Sequence, residues 1–347
     1  MKIMSRLGVV LLFFNTFLLS AQDVQFSQYY NSTLYSNPAF AGTGENTRIG
    51  LNYRTQWTNV AKPYTTFALW GDHMIESARS GVGLMILRDA QGQTRTNSTM
   101  VSASYSYLVP LDNGWAFRPG LQAGFIVRSA NYTNALFGDQ LDNNGITGNP
   151  STDPILQSDP SKIFPDIGAG GLIYNSNFWF GAGFNHMNTP NQTYNNVSGY
   201  NLPMRINLQT GYKIILNRSR YRNYRAPGSK EISLTPTLNF KNQGPNNQLD
   251  IGFYYTYDPI MIGLWYRGIP LLENHGKPNN EALIPMIGFI QKGWTITYSY
   301  DYTISSLTTK QSGGAHEISL IYEFKVPYKN SGVQRRIPCP NFSRSYQ

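Results

Sequence analysis

The sequence predicts an all-β chain, a transmembrane antiparallel β-barrel of about 14 strands. Three observations predict it. Apolar and polar residues alternate with period two over stretches near the ~9–11 residues that a tilted strand needs to cross a bilayer. Aromatics make up 14% of the chain, yet charged residues are also only 14%, well below the ~25% of an average soluble domain. An export leader precedes the first strand.

Residues 1–21 are expected to be that leader, a secretory signal peptide. Lys2 and Arg6 give it a positive end, Leu7 to Leu19 an apolar stretch, and Ser20-Ala21 a small residue before Gln22. The apolar stretch falls short of the ~20 residues of a spanning helix. No Cys follows the cleavage point, which excludes a lipoprotein leader, and the single cysteine, Cys339, excludes an internal disulfide framework. A net charge of +9 on an exported chain points to acidic partners or lipid head groups, not to nucleic acid.

Residues 47–324 carry the alternation. "RIGLNYRTQW" sets Ile49, Leu51 and Tyr53 against Arg48, Asn52 and Arg54. "MVSASYSYLV" sets Val101, Ala103, Tyr105 and Tyr107 against three serines, and "WAFRPGLQAGFIVR" opposes Phe117, Leu121 and Phe125 to Arg118 and Gln122. "MRINLQTGYKI" and "WTITYSYDY" alternate in the same way. A soluble sandwich would bury the apolar face against a second sheet. A barrel shows it to lipid and turns the polar face to a lumen. Strand length and the aromatics near strand ends (Trp57, Trp115, Trp294, Phe324) favour the barrel.

Strands are expected near 47–57, 64–72, 81–88, 99–110, 115–128, 166–174, 178–186, 203–215, 232–241, 248–257, 260–267, 283–290, 294–302 and 315–324. The turns 111–114, 175–177, 258–259 and 291–293 are short and fall on one side; the polar segments 129–165, 187–202, 268–282 and 303–314 are long and fall on the other. Bacterial barrels place short turns in the periplasm, so both termini are expected there. One short-side connection breaks the pattern. Residues 216–231 carry Arg218, Arg220, Arg222, Arg225 and Lys230 against Glu231 alone. The tail, 325–347, adds Lys325, Lys329, Arg335, Arg336 and Arg344 and no acid. Either these runs are solvated or lipid-facing charge, or they form a docking surface for a periplasmic partner.

"QFSQYYNSTLYSNPAFAG" (25–42) behind a leader ending "LSAQ", the "NYRTQW" of the first strand, the loop "FGDQLDNNGITG" and the ending from Arg335 to Pro340 together resemble the PorP/SprF family of outer-membrane proteins. That family accompanies the type IX secretion system of Bacteroidetes. The resemblance runs the full length and leans to the SprF-like branch, associated with export and surface attachment of large adhesins, gliding adhesins included. It implies secreted adhesin cargo and periplasmic or lipoprotein machinery as partners, beside outer-membrane lipid.

Residues 22–46 hold too few apolar side chains for a core of their own. Asn37-Pro38 disfavours helix at Asn37 and allows a turn or helix start after it. A segment entering the barrel from the periplasm would meet Arg48, Asn52, Arg54, Arg118 and Gln122, to which Tyr29, Tyr30, Asn31, Tyr35 and Asn37 could hydrogen-bond. It reads either as a lumenal plug or as a periplasmic leader.

No catalytic grouping, cofactor motif or metal spacing stands out. His73, His186, His275 and His316 are scattered. "GAGG" (168–171) and "GAGF" (181–184) lie within strands and suit close packing. The outer loop carries Asp139, Asp142 and Asn144; Asp142, Asn144 and Gly145 fit part of a calcium loop, but Gln140 stands at the first ligand position and Ser151 at the twelfth, so the pattern fails. The expected function is a non-enzymatic export component; the alternative is an outer-membrane porin or solute transporter.

Overall fold

The computed structural model describes residues 23–44, 47–92, 96–132, 136–142, 145–153, 160–194, 201–216, 232–274, 277–305, 309–324 and 337–338. Fourteen long antiparallel strands close into one barrel. They are β1 (Arg48–Gln56), β2 (Tyr64–Ile75), β3 (Ser80–Gln91), β4 (Thr96–Tyr107), β5 (Ala116–Ser129), β6 (Ser161–Tyr174), β7 (Phe178–Asn185), β8 (Arg205–Tyr212), β9 (Ile232–Gln243), β10 (Asn246–Tyr257), β11 (Ile260–Asn274), β12 (Lys277–Gln291), β13 (Trp294–Thr303) and β14 (Ala315–Glu323). Each pairs with its sequence neighbour, and β1 pairs with β14 from Arg48↔Glu323 to Gln56↔Ala315, so no sheet edge is left. No helix among the described residues is long and apolar enough to cross a membrane; the strands do the crossing.

The alternation places side chains as expected. Ile49, Tyr53, Leu84, Tyr105, Leu121, Ile167, Ile287 and Ile296 are exposed on the outer wall, while Arg48, Asn52, Arg54, Arg118, Gln122, Asp301 and Glu317 are buried inside. Rings gather at strand ends. Trp294, Tyr322 and Phe324 pack in a row, Trp115 meets Phe178, and Trp57 meets Tyr64 across its turn.

Two expectations are corrected. Residues 268–282 are not a long loop. β11 and β12 continue through them to Asn274 and from Lys277, with register shifts at Arg267/Gly268 and Ile269/Glu273. Such bulges break the period-two signal that marks a strand. Nor is the lumen wall polar throughout: Trp70, Met85, Trp179, Trp265 and Met286 are buried on its inner face.

We call the rim where β1 begins and β14 ends the near rim. It carries the short turns 175–177, 258–259 and 292–293; the far rim carries the long connections around 130–160 and 186–204.

Candidate functional site: the filled lumen

Residues 26–44 are all buried, though few of them are strongly apolar. They lie among the inward-facing side chains of the barrel, and Asp23 continues the same path. Asp23 sits at the far rim against the ends of β7, β8 and β9, and the chain descends to join β1 at the near rim. Asn37 is extended, with φ −161° and ψ 119°, and its side chain accepts from the Ala39 amide at 2.9 Å to cap the turn Pro38–Phe40. Asn37-Pro38 thus marks the start of a turn, as the sequence implies. A single helical turn, Thr33–Ser36, precedes it.

An ion network holds the first part of the segment. Ser27 Oγ donates to Asp301 at 2.7 Å and accepts from Arg54 Nη1 at 2.8 Å and Arg267 Nη2 at 2.9 Å. The Ser27 and Gln28 amides donate to the two oxygens of Glu317 at 2.7 and 3.0 Å. Arg54 also reaches Asp301 at 2.8 Å and Glu317 at 3.2 Å, while Arg267 bonds Asp250 at 2.8 Å and Asp301 at 2.7 Å. Two guanidiniums thus meet three carboxylates, and each carboxylate lies within hydrogen-bond reach of an opposite partner.

The middle packs and the last part is caged. Tyr30 stacks on Trp265 with ring centroids 5.9 Å apart, meets Tyr254 edge-on at 4.6 Å, and its hydroxyl contacts the Met286 sulfur. Tyr29 lies edge-on to Tyr30. Asn37 Nδ2 donates to the carbonyls of Gly171 and Ala182 at 3.0 and 3.1 Å. Arg118 donates to the Ala41 and Gly42 carbonyls at 2.9 and 3.2 Å, and Asp72, paired with Arg48, accepts from the Gly42 amide at 2.8 Å. Gly170 of "GAGG" and Gly183 of "GAGF" clear this path. A Cβ on Gly170 would stand 2.1 Å from Asn37 Oδ1, and one on Gly183 would stand 2.3 Å from the Ser36 carbonyl oxygen.

Of the side chains expected to line or touch the lumen, Tyr29, Tyr30, Asn37, Arg48, Arg54 and Arg118 come together around this segment. Gln122 is on the same wall but bonds Ser102 at 2.7 Å and Asn185 at 3.1 Å instead. Sequence reasoning missed Ser27, which lies ahead of the first strand, and Asp250, Arg267, Asp301 and Glu317, whose only signal was a charged residue on an inward strand face. It also missed a far-rim cluster in which His186 lies between Asp166 and Asp23, both at 2.6 Å, and Arg205 reaches Asp23 at 2.9 Å. In the far-rim connection after β5, Asp139 accepts from Ser151 Oγ and the Thr152 amide, both at 2.7 Å, which holds its carboxyl below the usual range, and Asp142 pairs with Gly145 in a small hairpin. The basic residues Arg218, Arg220, Arg222, Arg225, Arg335 and Arg336, with Asn144, lie outside the described residues.

The far-rim cluster gives a pH prediction. Burial opposes a charged His186, but Asp23 and the Asp166 hydrogen bond outweigh it and raise His186 to about 9. Asp23 is also opposed by burial, yet His186 and Arg205 hold it well below the carboxylate range. His186 therefore stabilises docking of the segment fully below its unfolded value of ~6.5, and the contribution is lost as pH rises through about 9. Hydrogen-exchange protection of residues 23–28 should fall between these limits, and His186→Gln should flatten the fall. Equal profiles would refute this role for His186.

A barrel with an apolar outer wall, a closed sheet and a buried segment of its own chain in the lumen defines an outer-membrane β-barrel protein. Likeness to solved barrels is broad and distant. Omp33 of Acinetobacter baumannii is 6% identical over 82% of this chain and 100% of that one, with a TM-score of 0.42. A mutant porin of Rhodopseudomonas blastica is 8% identical over 80% and 98%, with a TM-score of 0.32. No curated protein matches. The model of the type IX secretion system membrane protein PorP/SprF matches residues 18–322, and the chain belongs to that family.

Proposed function

We propose that this protein is the SprF-like, plugged form of the family. It acts through its two rims rather than as a conduit for solutes. On this reading residues 23–44 plug the lumen, the near rim faces the periplasm, and the far-rim loops assist export and surface anchoring of large adhesin-type cargo. The basic connection 216–231 and the tail, with Arg218, Arg220, Arg222, Arg225, Arg335 and Arg336, dock acidic surfaces of the periplasmic machinery. Arginine suits that task because its planar fork recognises carboxylates in pairs.

The observation that carries the reading is the ion network that fixes Ser27 across the lumen to Arg54, Arg267, Asp301 and Glu317. A solute porin has no use for such a fastening. The test is a surface proteome. Deletion of the gene should remove one or a few large adhesins and leave most type IX substrates in place. Replacing Arg218, Arg220, Arg222 and Arg225 by Gln should leave the barrel inserted and lower cargo display severalfold, more so at high salt, where exposed pairs are screened. Loss of every substrate on gene deletion would indicate a core translocon part; loss of none would favour the porin alternative; and normal cargo display by the arginine variant would remove the docking role.

A further inference from the structure

Beneath the N-terminal segment, part of the near half of the lumen is apolar. Trp179, Tyr174, Met261, Trp265 and Ile290 are buried there in one cluster with Ala116 and with Tyr30 and Phe40 of the segment. Ala116, Tyr174, Trp179, Met261 and Ile290 all belong to strand ends at the near rim. The same cluster includes Ile337, which is 1% exposed although it lies 14 residues beyond β14 in sequence. Pro338 beside it is also buried.

We infer that this apolar cup is a binding site for an aliphatic–proline dipeptide, occupied by the chain's own Ile337–Pro338. The tail is then fastened at the near mouth by a contact separate from the ion network that holds Ser27. The chemistry suits the occupant. The isoleucine fills an apolar pit lined by rings and thioethers that would otherwise open to water. Proline brings no N–H into a dry place and holds the preceding residue extended.

The only cysteine, Cys339, makes this testable in the full chain. Two residues of chain span at most ~7 Å, so a seated Ile337 keeps Cys339 beside the cup. Ala116→Cys and, separately, Ile290→Cys mark the near end; Ile126→Cys, buried at the far end of β5, is the control. Under mild oxidation a disulfide to Cys339 should form with at least one near-end cysteine and at least tenfold faster than with the control. Ile337→Asp should slow it at least tenfold, and Ile337→Leu should leave it unchanged, in barrels that all remain heat-modifiable. No near-end bridge, equal bridging near and far, or indifference to Ile337→Asp would overturn the inference. The test is separate from the N-terminal plug, because failure of the plug shows as conductance, whereas the bridge reads only where Ile337 is seated.

Discussion

Arg267→Ala is expected to lower barrel stability by about 3–5 kcal/mol, the range for leaving buried partners unpaired. Arg267 holds Asp250 at 2.8 Å, Asp301 at 2.7 Å and Ser27 at 2.9 Å, and its side chain is 1% exposed. Truncation leaves Asp301 to Arg54 alone and takes from Asp250 its guanidinium. Lysine cannot restore this, because one ammonium lacks the fork that reaches all three partners. The check is the temperature at which the folded band on an unheated gel converts to the unfolded one. It should drop clearly for Arg267→Ala and nearly as far for Arg267→Lys. A transition at the wild-type temperature would mean that the network is decorative.

Gly183→Val should open the lumen. The added Cβ would stand 2.3 Å from the Ser36 carbonyl oxygen and 3.1 Å from Asn37 Cα, both backbone groups of the segment. Valine suits a strand, so the wall should persist and the segment should move. Reconstituted in planar bilayers, the variant should show steady conductance where the parent shows little. Gly171→Val is the control. Its Cβ would meet only the outward Phe117 ring, at 3.4 Å, and it should behave as the parent. Closed behaviour in Gly183→Val would show that the segment yields without leaving, or that it does not block the lumen.

Strand number and the facing of side chains were legible because a half-exposed strand repeats every two residues. Arg48, Arg54 and Arg118 could be placed inside on that ground alone. Where β11 and β12 carry bulges, the repeat breaks and a strand reads as a loop. The network was not legible. Ser27 is 274 positions from Asp301 and 290 from Glu317, and nothing in the sequence says which inward positions of distant strands stand opposite one another. The same holds for His186, whose partners come from β6 and from the segment. Ile337 was hidden for another reason: it lies beyond the last strand, where period-two reasoning has nothing to say.

The seam between β1 and β14 has a consequence for biogenesis. Arg54 on the first strand bonds Glu317 on the last and Asp301 on the one before it, and the Ser27 residue they share precedes all of them in sequence. The acidic partners of the segment, Asp301 and Glu317, come from the last two strands, whereas its basic partners Arg54 and Arg267 come from earlier ones. An assembly machine that held the sheet open would find the segment loosely held and the carboxylates hydrated. Zipping the last pair of strands desolvates the charges and clamps the serine in one step. Barrel closure and seating of the segment thus share the same side chains, because the acids that meet Arg54 across the seam are the ones that hold Ser27.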